Sequence, residues 1–425
     1  MTKVTTEKDK VQIKANSKQA WLVTFSGTGV NLTLGIIYSW SIIAAFLRDT
    51  QGWSAMDSQL PYMITCSVFA LLMVPAGRIQ DSLGPKMVLI ASAFFAGAGL
   101  IGSGLFISVT GLSICFGILF GSAMGLGYSS ATPPAIKWFR PEKRGLIAGI
   151  VVSGAGIASV YSAPLTNFLL GRYGLSSTFF IIGTAFFFVI IILAQFIKNP
   201  PAGYIPPSAP SQNAVMHGVK EEDHYKKDFQ WHEMIKTPQF YLLWLIFCFG
   251  SLAGLMVIGQ LSSIVYDQSG LSLGFILVAI LAVFNAGGRI VAGALFDKLG
   301  RTYSLVIILT LQAVNFLLFG TYDNITTLVI GTMVAGFSYG ACLSIFPAAT
   351  AMLYGVKNIG VNYGLLYTSW GAGGVFGGLI GGLVRDWTGS YNTAFLIASA
   401  LCAVGVILSL LIKEPEKNAL ETIPL

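Results

Sequence analysis

The chain has 425 residues, of which 54% are hydrophobic and only 10% charged, with a mean hydropathy of +0.73 and 49 glycines. A soluble domain of ordinary composition is about a quarter charged, so this balance excludes one and points to an all-α polytopic membrane protein. The net charge of +7 does not imply nucleic acid, because the 25 Lys and Arg residues are sorted along the chain by side of the membrane.

The first 19 residues form a polar tail holding Lys3, Lys8, Lys10, Lys14 and Lys18. The apolar run behind it is too long for the h-region of a cleavable signal, so an uncleaved first helix is expected. A helix needs about 20 apolar residues to cross a bilayer. Twelve such runs follow, near 20–47, 59–82, 87–108, 111–136, 146–170, 178–197, 239–266, 272–297, 303–321, 325–353, 361–384 and 391–412. They are numbered here as spans 1 to 12. Long unbroken runs rather than alternation disfavour a β-barrel.

Between spans 6 and 7, residues 198–236 are first Pro-rich (Pro200, Pro201, Pro206, Pro207, Pro210) and then densely charged from Lys220 to Asp228. They read as a linker between a six-helix half at 20–197 and another at 237–412, with a tail at 413–425. With both termini on one side, only Arg48, Arg172 and Arg385 fall on the other, and Arg289 falls inside a span. The positive-inside rule then makes the termini cytoplasmic. The expected location is the plasma membrane, or the inner membrane of a bacterium, and the expected working unit a monomer.

The halves echo each other. Gly77, Asp81, Gly84 and Lys86 follow span 2 as Gly293, Asp297, Gly300 and Arg301 follow span 8. Gly154-Ala155-Gly156 in span 5 recurs at nearly the same offset as Gly371-Ala372-Gly373 in span 11. Two echoes at one offset indicate a parallel duplication, which places a solute site near the midplane between the halves.

Arg289 lies within span 8, in Asn285-Ala286-Gly287-Gly288-Arg289. A cation at that depth costs about 2.5–3.5 kcal/mol on insertion scales, and no Asp or Glu lies well inside any span to pair with it. A cavity that receives an anion is the leading explanation, with structural hydrogen bonding between helices as the alternative. Asn285 stands one turn away on the same face. An Arg fork takes a carboxylate bidentately and a neighbouring amide can steady it. Tyr38, Tyr128, Tyr339, Tyr363 and Tyr367 are candidate donors around such a cavity, and Asn31 and Gln260 further polar positions. Leu146, Phe337 and Phe346 could wall a short alkyl group. Each of these could equally be packing.

The five cysteines all fall in spans and read as packing residues. The three histidines all fall in the linker, at spacings that suit no familiar metal site. No cofactor is expected. No nucleophile–base constellation or phosphate-binding Gly-x-x-x-x-Gly-Lys-[Ser/Thr] motif occurs, which argues against an enzyme and against an ATP-driven pump.

The Gly77 to Lys86 segment, Gly-x-x-x-Asp-x-x-Gly-x-[Lys/Arg], resembles the loop motif of the major facilitator superfamily, and the Gly293 to Arg301 segment shares it except that its cation directly follows the second Gly. That resemblance implies twelve helices in two halves and makes Asp81 and Asp297 gating residues. Glu233-Met234-Ile235-Lys236-Thr237-Pro238-Gln239-Phe240, Trp138-Phe139-Arg140-Pro141-Glu142-Lys143-Arg144-Gly145 and Asn362-Tyr363-Gly364 resemble the oxalate/formate antiporter family. The Trp138 stretch is also similar to the monocarboxylate transporters. These resemblances imply a secondary carrier of small carboxylates, with Arg289, Asn285, Tyr128, Tyr339, Tyr38 and Trp370 as substrate-binding residues.

Two departures matter. Monocarboxylate transporters carry an Asp where this chain has Asn285, which removes the obvious proton carrier. Oxalate transporters carry a second cation, a Lys, where this chain has Trp370. One buried cation favours a monocarboxylate such as lactate, pyruvate or formate, with a proton as the expected partner. Anion exchange and a binding-only membrane receptor remain open.

Overall fold

The computed structural model describes residues 17–139, 141–201, 204, 228–355 and 358–413. Within them the chain is helical, and its architecture is set by where glycine and proline let helices stop. Ten stretches are long and apolar enough to span a membrane. The longest, Leu146–Ala194, is two spans folded apart at Gly174, whose φ of +74° only glycine adopts easily. The Gly-rich helix Ile359–Thr388, of 30 residues, is the remaining one, so that twelve spans cross in two sets of six.

Span 1 is not one straight helix. Ser17–Leu34 tightens into a 3-10 turn at Gly35–Ser39 before continuing as Trp40–Gln51. At the turn Gly35 lies against the Ala155 backbone, where a Cβ would not fit, and the Ser39 hydroxyl bonds Ser162 at 2.6 Å. Span 2 (Ala55–Leu83) starts on the Ser54 cap, which accepts from Asp57 N at 2.9 Å. It ends at Gly84, φ +80°, and Pro85 opens span 3 (Pro85–Leu105) at the helix position where a missing N–H costs nothing.

Span 4 runs 109–137 with a π-helical stretch at Ser113–Phe120. Spans 5 and 6 occupy Pro141–Ile157 and Ser159–Ala194, divided at Gly174. In the second set, span 7 is Pro238–Ser269, and spans 8 and 9 share Gly274–Phe319, broken at Gly300. Span 10 is Ile325–Tyr354 and span 12 is Asn392–Leu411. Gly84 and Gly300, the paired motif glycines, both turn the chain at positive φ with extended ψ. The echo read from sequence is therefore an echo of backbone conformation.

Each half also repeats a close helix contact. Gly154 meets the Thr28 carbonyl between spans 5 and 1, and Gly373 meets the Cys248 carbonyl and the Leu252 amide between spans 11 and 7. Small residues at such crossings let backbones approach. Large apolar side chains of spans 3, 6, 9 and 12, among them Phe94, Phe188, Leu317 and Leu410, face outward, as in a protein whose solvent is lipid. The halves meet through spans 2 and 11, 1 and 7, and 5 and 8. The described termini, Ser17 and Lys413, share one end of the bundle; the turns at Gly52, Gly270 and Gly389 lie at the other, the far end.

The helices overrun the apolar runs that announce them. Span 5 begins at Pro141 and span 7 reaches Ser269, because hydrogen bonding carries a helix into the polar interface after hydropathy has fallen. Residues 1–16 and 414–425 of the tails, and 202, 203 and 205–227 of the linker, fall outside the described residues.

Candidate functional site

Arg289 sits on span 8 and crosses the boundary between the halves. Its Nε donates to Asn285 Oδ1 at 3.1 Å, and Nη1 donates to the Val152 carbonyl of span 5 at 3.2 Å. The guanidinium lies over Gly156, where a Cβ would stand 3.3 Å from Cζ. Span 8 can present it this way because its other face is pressed on span 10: Gly340 meets the Asn285 carbonyl, and Gly288 meets the Phe337 carbonyl. These contacts leave no room for side chains behind the arginine.

The Asn285 amide and the Val152 carbonyl that accept from Arg289 are neutral. The Tyr38 and Tyr128 hydroxyls face its guanidinium, with Tyr339 and Tyr367 farther off but within electrostatic reach. Asn285 is 1% exposed, and its Nδ2 has no hydrogen-bond partner among the described residues. A positive charge, an amide donor without a partner among the described residues and several hydroxyls converge, with no carboxylate among the described side chains that bond Arg289. That arrangement can take an anion with two acceptor oxygens, since each unsatisfied buried donor costs about 1–3 kcal/mol until an acceptor arrives.

The aromatic groups are ordered around this charge. Trp370, fully buried, donates its indole N–H to Tyr339 Oη at 2.8 Å, and Tyr339 Oη lies 3.2 Å from Tyr38 Oη across the half boundary. The Trp370 ring stacks on Tyr367 with centroids 5.2 Å apart and meets the edge of Phe69 at the same distance. Trp370 thus holds Tyr339 from behind. Tyr363 touches Tyr367 at 5.7 Å.

The structure gathers Arg289, Asn285, Tyr38, Tyr128, Tyr339 and Trp370 at one place. Asn31 is nearby but engaged: its Nδ2 donates to the Val151 carbonyl at 2.9 Å, one residue from the carbonyl that Arg289 uses. Gln260 lies elsewhere, in the seam toward the far end against Gly381. Phe346 stacks on Phe247 at 4.1 Å in the core, while Leu146 is 64% exposed. The backbones of Asp81 and Asp297 lie in the ends of spans 2 and 8; their side chains lie outside the described residues.

Sequence reasoning missed three parts. Phe69 touches Tyr128, Tyr367 and Trp370 at 5.2–5.8 Å and joins the two halves' aromatics. Nothing distinguishes it from any other Phe in an apolar run. Val152 acts through a backbone carbonyl, which carries no side-chain signal. Gly156 was visible as part of the repeated Gly-Ala-Gly, and only the position of Arg289 shows what its missing side chain makes room for.

The model of the Major Facilitator Superfamily matches the chain in two stretches, residues 22–319 and 304–424. Among curated proteins, the oxalate:formate antiporter of Oxalobacter formigenes is 29% identical over 370 residues, 86% of this chain and 84% of that one. Monocarboxylate transporter 13 of Rattus norvegicus is 24% identical over 400 residues, 92% of this chain and 88% of the other. A probable sulfoacetate transporter of Cupriavidus necator is 24% identical over 394 residues, covering 88% of each. Among solved structures, a bacterial homologue of the human lysosomal transporter Spinster, inward-facing and unoccupied, superposes with a TM-score of 0.62 at 18% identity. That likeness covers 94% of this chain and 95% of the other, and bears on the fold.

Proposed function

This chain belongs to the Major Facilitator Superfamily, and from that premise we propose that it is a secondary carrier of a small monocarboxylate, working by alternating access. The observation that carries the proposal is Arg289: a membrane-embedded cation whose hydrogen-bond partners among the described residues are neutral, facing two tyrosine hydroxyls, beside an Asn285 amide donor that has no partner among them. A carboxylate would take the guanidinium bidentately, with Asn285 Nδ2 and the hydroxyls of Tyr38, Tyr128 and Tyr339 as auxiliary donors. Arg289 draws on span 8 while Tyr38 and Tyr128 belong to spans 1 and 4, so a bound anion would be held by both halves at once. Neutralising the charge lowers the cost of passing it through the closed middle of the carrier.

The preferred ion is one carboxylate with a short apolar or hydroxylated tail, of the lactate or pyruvate class, because Trp370 stands where a second cation would be needed for a dicarboxylate. Coupling is to a proton by symport. With Asn285 in place of an acid, the proton travels with the substrate, on a hydroxyl or through water. The carrier works as a monomer in the plasma or inner membrane with both termini cytoplasmic, Asp81 and Asp297 serving the gate at that end. The relative named for monocarboxylate transport supports the substrate class.

A second reading is carboxylate exchange, favoured by the antiporter of Oxalobacter formigenes at 29% identity. Uptake into proteoliposomes separates the two. Uptake driven by an imposed pH gradient into vesicles without internal substrate supports symport; uptake only into preloaded vesicles establishes exchange. Normal uptake by the Arg289→Ala variant would end the proposal in either form.

A further inference from the structure

Between the Arg289 site and the far end, the halves are closed by a seam in two layers. The inner layer is neutral. Ser41 of span 1 meets Ser262 of span 7 at 3.2 Å, and Gln59 of span 2 donates from Nε2 to the Gly259 carbonyl at 2.9 Å. Gln260, the next residue, is 1% exposed, and neither its oxygen nor its nitrogen has a partner among the described residues. The Gln59 oxygen is likewise buried without one. Desolvating amide groups without pairing them works against closure.

The outer layer pulls the other way. Asp386, at the end of span 11, accepts from the backbone N–H of Ala55 at 2.7 Å and of Met56 at 2.9 Å. These are the first two residues of span 2, in the opposite half, and a helix start carries unpaired N–H groups and partial positive charge. Ser54 already serves Asp57 N, so the helix is capped partly by its own half and partly by the other. Beside it Arg48 of span 1 donates to Tyr391 Oη at 3.0 Å, again across the halves, and Arg385 pairs with Asp267 at 2.6 Å.

We propose that this seam is the far-end gate of the carrier and that it is balanced, with the Asp386 cap on span 2 holding it shut and the unpaired Gln260 amide favouring its opening. The gate rests on the alternating-access reading but on no particular substrate. A buried amide without a protein partner among the described residues when closed, and hydrated when open, weakens the closed state, and a carrier needs two states of similar free energy. The cap supplies the compensating hold from a position that breaks cleanly, because water replaces Asp386 at the helix start once the halves part.

The test uses the full-length protein in proteoliposomes, with the five native cysteines changed to Ala and a probe cysteine placed by Ser41→Cys. Labelling by a membrane-impermeant maleimide from the far side reports opening of the seam, with no substrate added. Asp386→Ala is expected to raise the labelling rate about threefold, within the range set by loss of a helix cap, and Asp386→Asn to raise it less. Gln260→Leu, which removes the unpaired amide at similar volume, is expected to lower it about fivefold. The opposite signs exclude a general loss of fold, which would raise both. Unchanged or decreased labelling in Asp386→Ala, or unchanged or increased labelling in Gln260→Leu, overturns the proposal. If labelling behaves as expected while Arg289→Ala transports normally, the carboxylate reading fails and the gate stands.

Discussion

Span 2 and span 8 are copies of one element, yet they bring opposite chemistry to the same place. Phe69 and Met73 stand as far before Asp81 as Asn285 and Arg289 stand before Asp297. Where the second half has an amide and a cation, the first has an aromatic ring and a thioether. Phe69 spends its position joining Tyr128 to Trp370 and Tyr367, while its counterpart Asn285 accepts from Arg289, the counterpart of Met73, which reaches Val152 across the boundary. The duplication thus supplies matched backbones. The difference at these positions divides the labour, with one half carrying the charge and the other the walls, hydroxyls and carbonyl that receive it.

The sharpest way to break this comparison is Arg289→Ala. Losing a charge-assisted, two-point contact is expected to cut uptake efficiency about a hundredfold, read as the initial rate over concentration. A loss of only a few-fold would mean that the halves share the anion more evenly than their sequences suggest.

Asn285→Asp comes next. An acid one turn from Arg289 competes with the anion for its donors, so uptake at neutral pH should fall about tenfold. Protonating that acid removes the competing charge. Uptake by the variant should therefore recover toward acid pH more steeply than that of the parent. A profile parallel to the parent's would show that Asn285 does not address the same donors as the substrate.

A smaller effect is expected from Trp370→Phe, which keeps the ring stack on Tyr367 but removes the indole N–H from Tyr339. About a three- to tenfold rise in the half-saturating substrate concentration is the magnitude of one neutral hydrogen bond acting through a positioned hydroxyl. Tyr38→Phe should cost about as much. The double variant with Tyr339→Phe should cost less than the sum, because the two hydroxyls lie 3.2 Å apart and form one unit. Strict additivity would show that they act separately.

Much of this was legible in the chain. Arg289 stood out because a charge in an apolar run is expensive, and cost is readable without a fold. Asn285 followed from helical spacing, and the Gly84 and Gly300 turns from their shared motif. Tyr38, Tyr128 and Tyr339 were reached through the resemblance and by their place in the spans. Phe69 was not, since an aromatic ring in a membrane helix has the same hydropathy whether it faces lipid, core or site. Gln260, a polar position open to a site or a packing reading, lies in the seam, because polarity marks a residue as unusual without saying which neighbour it meets.

The sequence by itself determined the solvent, the number of crossings, the duplication and the one charge that the membrane must accommodate. These are one-dimensional quantities: composition, run length, offset and burial cost. Only the tertiary structure decided what that charge touches. The Val152 carbonyl, the room above Gly156 and the Asp386 cap on Ala55 and Met56 all join residues far apart in the chain. Backbone carbonyls, absent side chains and helix starts become functional groups only when packing brings a partner to them.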